Sequence, residues 1–246
     1  MRAIILAAGI GARLQHANQT VKCLLEFGGK TLLERHVENL NAIGVSQIHL
    51  CLGHKSNEVR QFVQSKNISN IFYHFNPLFR LGSLVSLWAV RKVLLSGEEI
   101  ILMDADVLYD PTILYQLVNS PYSNCFLIDK NYVAGEEPVK ICVKNKKIIE
   151  FRKKLPKNID YDEIGESVGF FKFSEAACAA LDVIISRLLS DNQHQLPHEE
   201  ALRELTSIDR YNIGVQDITG LPWIEIDYPE DVTRAQNEIL PEILTE

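Results

Sequence analysis

Residues 3–9 read Ala3-Ile-Ile-Leu-Ala-Ala-Gly9, six apolar side chains closed by a glycine. A strand that is apolar on both sides of its pleat has both sides covered, as strands in a parallel sheet do. A glycine directly after it marks a turn where backbone N–H groups can approach an anion. Working outward, strand and helix alternate. Thr31-Leu-Leu-Glu34 has capping-box form, Leu33, Val37 and Leu40 share one helical face, and Gly44 can close the helix. Residues 45–52 and 71–75 read as strands, with a helix between them that Ser56 can cap. Ser83 can cap a helix with Leu84, Leu87, Val90 and Leu94 inward. Residues 100–103 form a short strand running into Asp104-Ala-Asp106, and Asp110-Pro111 opens another helix. Such alternation predicts a mostly parallel sheet with helices on both faces.

Past residue 120 the spacing changes. Residues 125–129, 139–143, 148–151 and 168–173 crowd together as strands, with a hairpin tip at 144–147. Helices near 174–190 and 198–206, strands near 212–218 and 223–226, and a helix from Pro229 complete the chain. No repeat or linker divides it. One domain over 1–246 is expected, with a parallel half (about 1–120) and a more antiparallel half (about 121–246) sharing one sheet.

Composition narrows the function. The 246 residues are 46% hydrophobic and 23% charged, an ordinary globular balance. No apolar run approaches the ~20 residues of a membrane helix. The first residues lack a cleavage site, so no secretory signal is expected. A net charge of −7 disfavours a broad nucleic-acid surface. Five scattered cysteines, with no C-x-x-C, suggest neither a disulfide framework nor a thiolate metal site, and point to reduced thiols in the cytoplasm. The seven histidines lack ligand spacing and are expected at the surface or partly packed.

The chemical signal is concentrated at LAAGIGARL, residues 6–14, followed by Lys22 and Gly28-Gly29-Lys30. Leu6, Ala7, Ala8, Gly9 and Gly11 form a strand-to-loop bend, and Arg13 and Lys22 offer fixed positive charge to a polyphosphate. A dinucleotide fingerprint fails because Leu14 holds the third glycine position, and no GK[ST] closes a Walker A loop. A tight glycine turn with surface cations is the plain structural alternative.

LAAGIGARL with VKCLLEFGGKTLLER (21–35) resembles the signature of the nucleotidyltransferases that make nucleoside-diphosphate sugars and alcohols. Val21 stands where that signature has proline. NPLFRLGSLVSLW (76–88) and WIEIDYPED (223–231) look like elements of its phosphocholine (or aminoethylphosphonate) cytidylyltransferase-like branch. The resemblance spans nearly the whole chain. It implies an α/β fold, Rossmann-like and three-layered, with a mixed, mostly parallel central sheet.

Asp104 and Asp106 end a buried strand, where α/β sheets bind ligands, and Asp227 ends another. Two carboxylates with phosphate oxygens and waters suit Mg²⁺. The resemblance makes Asp106 and Asp227 the metal ligands, with Asp104, on the nucleotide-binding side, supporting them or ligating through water. Turn residue (Asp104) and helix N-cap (Asp227) are the structural alternatives. The resemblance also makes Asn76, Gly82 and Ser83 nucleotide contacts, against a simple Asn-Pro turn and serine cap. It makes Lys153 and Glu166 acceptor contacts, against an exposed basic run and a solvated loop acid. Trp88, Tyr109, Tyr132, Phe170, Trp223 and Tyr228 are candidates for an aromatic box, or simply core.

What the resemblance implies is a Mg²⁺-dependent transfer of CMP from CTP to a small phosphorylated alcohol or a phosphonate, with release of pyrophosphate. Lys22 would serve the α-phosphate and Arg13 the β- and γ-phosphates. The expected partners are CTP and that acceptor, with no nucleic acid or membrane. A sugar-1-phosphate acceptor, or a nucleotide-binding regulatory subunit without catalysis, are the alternatives.

Overall fold

The computed structural model describes residues 1–14, 21–133 and 135–245. The first part of the chain runs β1 (Arg2–Ala7), β2 (Glu26–Phe27), β3 (Lys30–Thr31), α1 (Leu32–Ala42), β4 (Gln47–Leu52) and α2 (Ser56–Ser65). It continues through β5 (Ile71–Phe75), α3 (Leu84–Ala89), α4 (Arg91–Leu94), β6 (Ile100–Asp104), β7 (Val107–Tyr109) and α5 (Pro111–Asn119). Then come β8 (Asn124–Asp129), β9 (Lys140–Lys144), β10 (Lys147–Arg152), β11 (Glu163–Phe173), α6 (Glu175–Ser190) and α7 (His198–Thr206). The chain closes with β12 (Ile213–Asp217), β13 (Trp223–Glu225), α8 (Pro229–Arg234) and α9 (Leu240–Leu244).

The central sheet has the order β10-β9-β11-β6-β1-β4-β5, with β8 on β11 and β12 on β8. Strands β6, β1, β4 and β5 are parallel. The long β11 is antiparallel to β6, β8 and β9 and joins the two halves. The expected mixed, mostly parallel sheet is therefore present.

Alternation divides the apolar strands between two cores. Ile4, Ile100 and Leu102 join Leu84, Leu87, Phe171 and Leu181 on one face. Ile5, Ile101 and Met103 join Leu33, Val37, Leu50 and Phe170 on the other. Both faces are covered, so the strands read as unbroken apolar runs. A third cluster of Leu14, Leu25, Phe27, Leu108, Ile224, Ile226 and Leu240 packs the segment after the glycine bend against β13 and the C-terminal helices.

Local signals explain most boundaries. Thr31 and Glu34 make the expected reciprocal capping box. Asp110 accepts the Thr112 N–H at 2.7 Å, ahead of Pro111. The hairpin tip is Asn145-Lys146, both at positive φ. Two expected caps are corrected. Ser56 is the first residue of α2, and the cap position falls to Lys55, in a left-handed conformation. Ser83 stands at the N-cap of α3, but its hydroxyl faces His198 on α7 instead of bonding a backbone N–H of α3. The single helix expected after Ser83 is broken at Val90 into α3 and α4, although Leu84, Leu87, Val90 and Leu94 are all buried.

Candidate active site

The bend after β1 places the first charged groups. Gly11 has φ +64, and a Cβ there would lie 3.2 Å from Lys22 Cγ, so glycine meets both a backbone and a packing need. Val21, in the proline position, has φ −66, the angle a proline ring would impose. The short 3₁₀ turn Lys22–Leu24 follows with its register intact.

Lys22 Nζ donates to Asp106 Oδ2 at 2.9 Å and to Asp227 Oδ1 at 2.6 Å. Arg13 Nη1 donates to Asp227 Oδ2 at 2.9 Å, and Nη2 lies 3.1 Å from Glu137 Oε2. Its guanidinium covers the Tyr228 ring at 5.2 Å. Asp227 does not cap α8; Asp231 does, accepting the N–H groups of Asp227 and Tyr228. The Lys22 and Arg13 cations hold the Asp227 carboxyl below the usual carboxylate range, against the opposing effect of its burial.

Asp106, Glu225 and Asp227 present carboxylate oxygens within 4.8 Å of one another. An all-oxygen, anionic donor set of this kind fits a hard divalent cation such as Mg²⁺. Glu225 was not singled out in the sequence. Its signal was there: it stands two residues before Asp227, the strand spacing that returns a side chain to the same side.

A cleft of about 450 Å³ opens beside these groups. Leu6, Ala7, Ala8, Gly9, Gly11, Lys22, Asp104 and Asp106 line it. Ser83, Ser86, His198 and Glu199 line it as well. Asp104 stands outside the carboxylate trio, with Oδ1 3.9 Å from His198 Nε2. Its place in the cleft wall, then the Asp106 and Glu199 carboxylates, push its carboxyl well above the usual range. Asn76 and Gly82 are not in the lining. Asn76 is buried, donating to Ser86 Oγ at 3.0 Å and accepting the Leu78 N–H, which is the turn alternative. Gly82 packs where a Cβ would sit 2.0 Å from Leu196 O.

A second cavity of about 370 Å³ shares Glu225 with the first and includes Asp227. Asp129, Tyr132, Glu137, Glu166, Trp223 and Tyr228 border it. Trp223 Nε1 donates to Asp129 Oδ2 at 2.8 Å. Glu166 faces Asp129 across the β8–β11 pairing, and burial, reinforced by Asp129, pushes its carboxyl up to about 7. Of the six aromatic candidates, Tyr109 and Phe170 are core and Trp88 lies under Arg91, which leaves Tyr132, Trp223 and Tyr228. Lys153 Nζ lies 3.1 Å from Glu137 Oε2 and borders a third hollow of about 360 Å³. Glu137, absent from the sequence reading, joins Arg13 to Lys153 and accepts the Tyr228 hydroxyl.

The histidine expectation also needs correction. His36, His49 and His198 are buried, His36 stacked on Tyr109 and His198 within the cleft wall, while His16 lies outside the described residues. All five cysteines are free and buried.

Residues 3–150 match the sequence model of the MobA-like NTP transferase domain. The chain belongs to this family. The transferase is 26% identical to the CTP:phosphoglutamine cytidylyltransferase of Campylobacter jejuni subsp. jejuni, over 94% of this chain and 98% of that one. Solved structures carry the same fold. The inositol-1-phosphate CTP transferase of T. maritima matches with a TM-score of 0.76 at 19% identity, covering 98% of this chain and 95% of that one. The CTP:phosphocholine cytidylyltransferase of Streptococcus pneumoniae matches with a TM-score of 0.73 at 18% identity, covering 96% and 97%. No helix among the described residues is long and apolar enough to cross a membrane.

Proposed function

We propose that this transferase moves CMP from CTP to the phosphate or phosphonate oxygen of a small acceptor. The acceptor oxygen bonds to the α-phosphorus of CTP as the bond to the bridging oxygen breaks, and pyrophosphate leaves. The carrying observation is the meeting of Arg13 and Lys22 with Asp106 and Asp227 where two cavities adjoin. The curated relative and the two structural neighbours, each named for a CTP-dependent transfer, supply the nucleotide.

The acceptor is already an anion, so the difficulty is charge rather than nucleophilicity. Like unit charges ~4 Å apart repel by about 4 kcal/mol at an effective dielectric near 20. Lys22 lies closest to the carboxylate trio and serves the α-phosphate. Arg13, at the outer rim, serves the β- and γ-phosphates. Lys153 holds the acceptor anion, with Glu166 nearby on the same side. The Leu6–Gly11 bend offers backbone to the nucleotide, and Ser83 and Asp104 line its path. Asp106, Asp227 and Glu225 would hold Mg²⁺, which when bound neutralises charge on the triphosphate. Positioning and electrostatics supply the acceleration, and no covalent enzyme intermediate is required. Buried free thiols fit a reducing compartment, and we assign the reaction to the cytoplasm.

The test is pyrophosphate release from CTP, UTP, GTP and ATP against phosphocholine, phosphoethanolamine, 2-aminoethylphosphonate, inositol-1-phosphate and hexose-1-phosphates. Turnover with CTP and one of the non-hexose acceptors is expected. Turnover only with a hexose-1-phosphate makes it an NDP-sugar synthase instead. Mg²⁺-dependent CTP binding with no turnover makes it a regulatory subunit.

A further inference from the structure

We infer that Lys140 is a positioning residue of the acceptor site, fixing where Lys153 presents its charge to the acceptor anion. The inference rests on the transferase reading above and adds to it a residue buried behind the site. Lys140 is the first residue of β9. Its Nζ donates to three main-chain carbonyls: Gly135 O at 2.7 Å, Lys153 O at 2.8 Å and Pro138 O at 3.1 Å. An ammonium has three N–H groups and no acceptor, so this set uses every donor it has. Among the described residues Lys140 forms no ion pair, whereas Lys153 and Lys154 each face a glutamate. A buried charge must be hydrogen-bonded, and one given wholly to backbone fixes chain segments relative to one another.

Those segments lie where the sheet ends. The β9–β10 ladder stops at the Lys140–Arg152 pair, so Lys153 is the first residue beyond it. Gly135 and Pro138 bracket Glu136 and Glu137 in the irregular stretch before β9. No ladder holds either piece of chain, and the Lys140 ammonium supplies the donors that a neighbouring strand would otherwise give.

The same atom joins two walls. Gly135, Glu137 and Pro138 border the cavity that contains Glu166, and Lys153 borders the adjoining hollow with Arg152 and Lys154. The 3.1 Å contact between Lys153 and Glu137 spans that division, and backbone held by Lys140 carries both of its members. Lys153 reaches out on a flexible four-carbon stem, so the place of its charge depends on where its main chain is anchored. A shift of about 1 Å in a positioned group can cost about 10²-fold in rate.

The experiment is a double-mutant cycle on Lys140→Met and Lys153→Met. KM is measured for CTP and for 2-aminoethylphosphonate, phosphocholine, inositol-1-phosphate and glucose-1-phosphate. Lys140→Met keeps an unbranched stem and removes the donors. It is expected to raise the KM of the acceptor that wild type uses at least tenfold and to leave the CTP KM within twofold. In a Lys153→Met background the same change should add less than twofold, because the group it positions is gone. A general loosening of the fold would move both KM values and add in full. If Lys140→Met does not fold, Lys140→Arg takes its place in the cycle. It keeps the charge but sets its donors in one plane, and should raise the acceptor KM at least threefold. Additive effects on the acceptor KM, or an unchanged acceptor KM in a folded Lys140 variant, overturn the assignment. Calorimetric affinities for the four acceptors in the presence of CTP give the same cycle without turnover. An enzyme that binds an acceptor and does not turn it over refutes the transferase reading while still deciding the role of Lys140. One that binds none of the four refutes both.

Discussion

Lys22 and Asp227 are 205 residues apart in the chain and meet at 2.6 Å. The pair ties the glycine bend of the first half to the segment after β13, and Asp106 completes it from the turn between β6 and β7 with a 2.9 Å contact. The Lys22 pKa stands above the ordinary lysine value: the two carboxylates outweigh the effect of burial, so the side chain stays charged.

Lys22→Met should therefore lower kcat by about 10²–10³, the usual loss when one preorganised electrostatic contact is removed. The acceptor KM should change little, because Lys153 is untouched. Steady-state pyrophosphate release measures both, and turnover within threefold of wild type would exclude Lys22 from the chemistry.

The carboxylate trio makes a metal requirement the second expectation. Chelation with EDTA should abolish turnover and added Mg²⁺ should restore it. Asp227→Asn and Glu225→Gln should each raise the Mg²⁺ concentration for half-maximal rate, Asp227→Asn more strongly because it also frees Arg13 and Lys22. An unshifted Mg²⁺ curve in both variants argues against a shared ion.

Glu166 gives a pH dependence of stability. Its folded pKa, about 7, lies above the ordinary 4.5, so the folded state holds the proton more tightly than the unfolded chain. That stabilisation is full below pH about 4.5 and is lost as pH rises through about 7. Glu166→Gln cannot ionise, so its Tm should gain on wild type across that window. Melting curves at a series of pH values decide the matter; a constant difference contradicts the burial argument.

Gly82 and Gly29 make a matched pair for backbone packing. A Cβ at Gly82 would stand 2.0 Å from Leu196 O, whereas at Gly29 nothing lies within 4 Å and only φ +78 opposes it. Gly82→Ala should destabilise by about 3 kcal/mol or more through overpacking against backbone. Gly29→Ala should cost about 1–2 kcal/mol for its left-handed backbone alone. Chemical denaturation ranks the two, and equal losses would show that the 194–196 segment yields easily.

The fold was legible because its signals are local. Ala3–Ala8, the Thr31/Glu34 box and the Asp110-Pro111 cap each declare an element within a few residues. Arg13, Lys22, Asp106 and Asp227 were legible as residue types at strand ends and bends. What escaped depends on tertiary placement. Glu137 lies in an irregular segment with no periodicity, and its three partners come from distant parts of the chain. His198 and Glu199 open a helix whose buried face reads as ordinary core. At Asn76 and Gly82 the fold adds a hydrogen bond to Ser86 and a close approach to Leu196, tertiary uses that a sequence does not display.

The third apolar cluster makes the far end of the polypeptide a clamp on its beginning. Ile226 and Leu240 share one buried cluster with Leu14 and Leu25, so the residue next to Asp227 is anchored among side chains outside the carboxylate trio. Leu240→Ala would open a void in that cluster without touching a charged group of the site, so a substitution remote from the chemistry should weaken turnover along with stability.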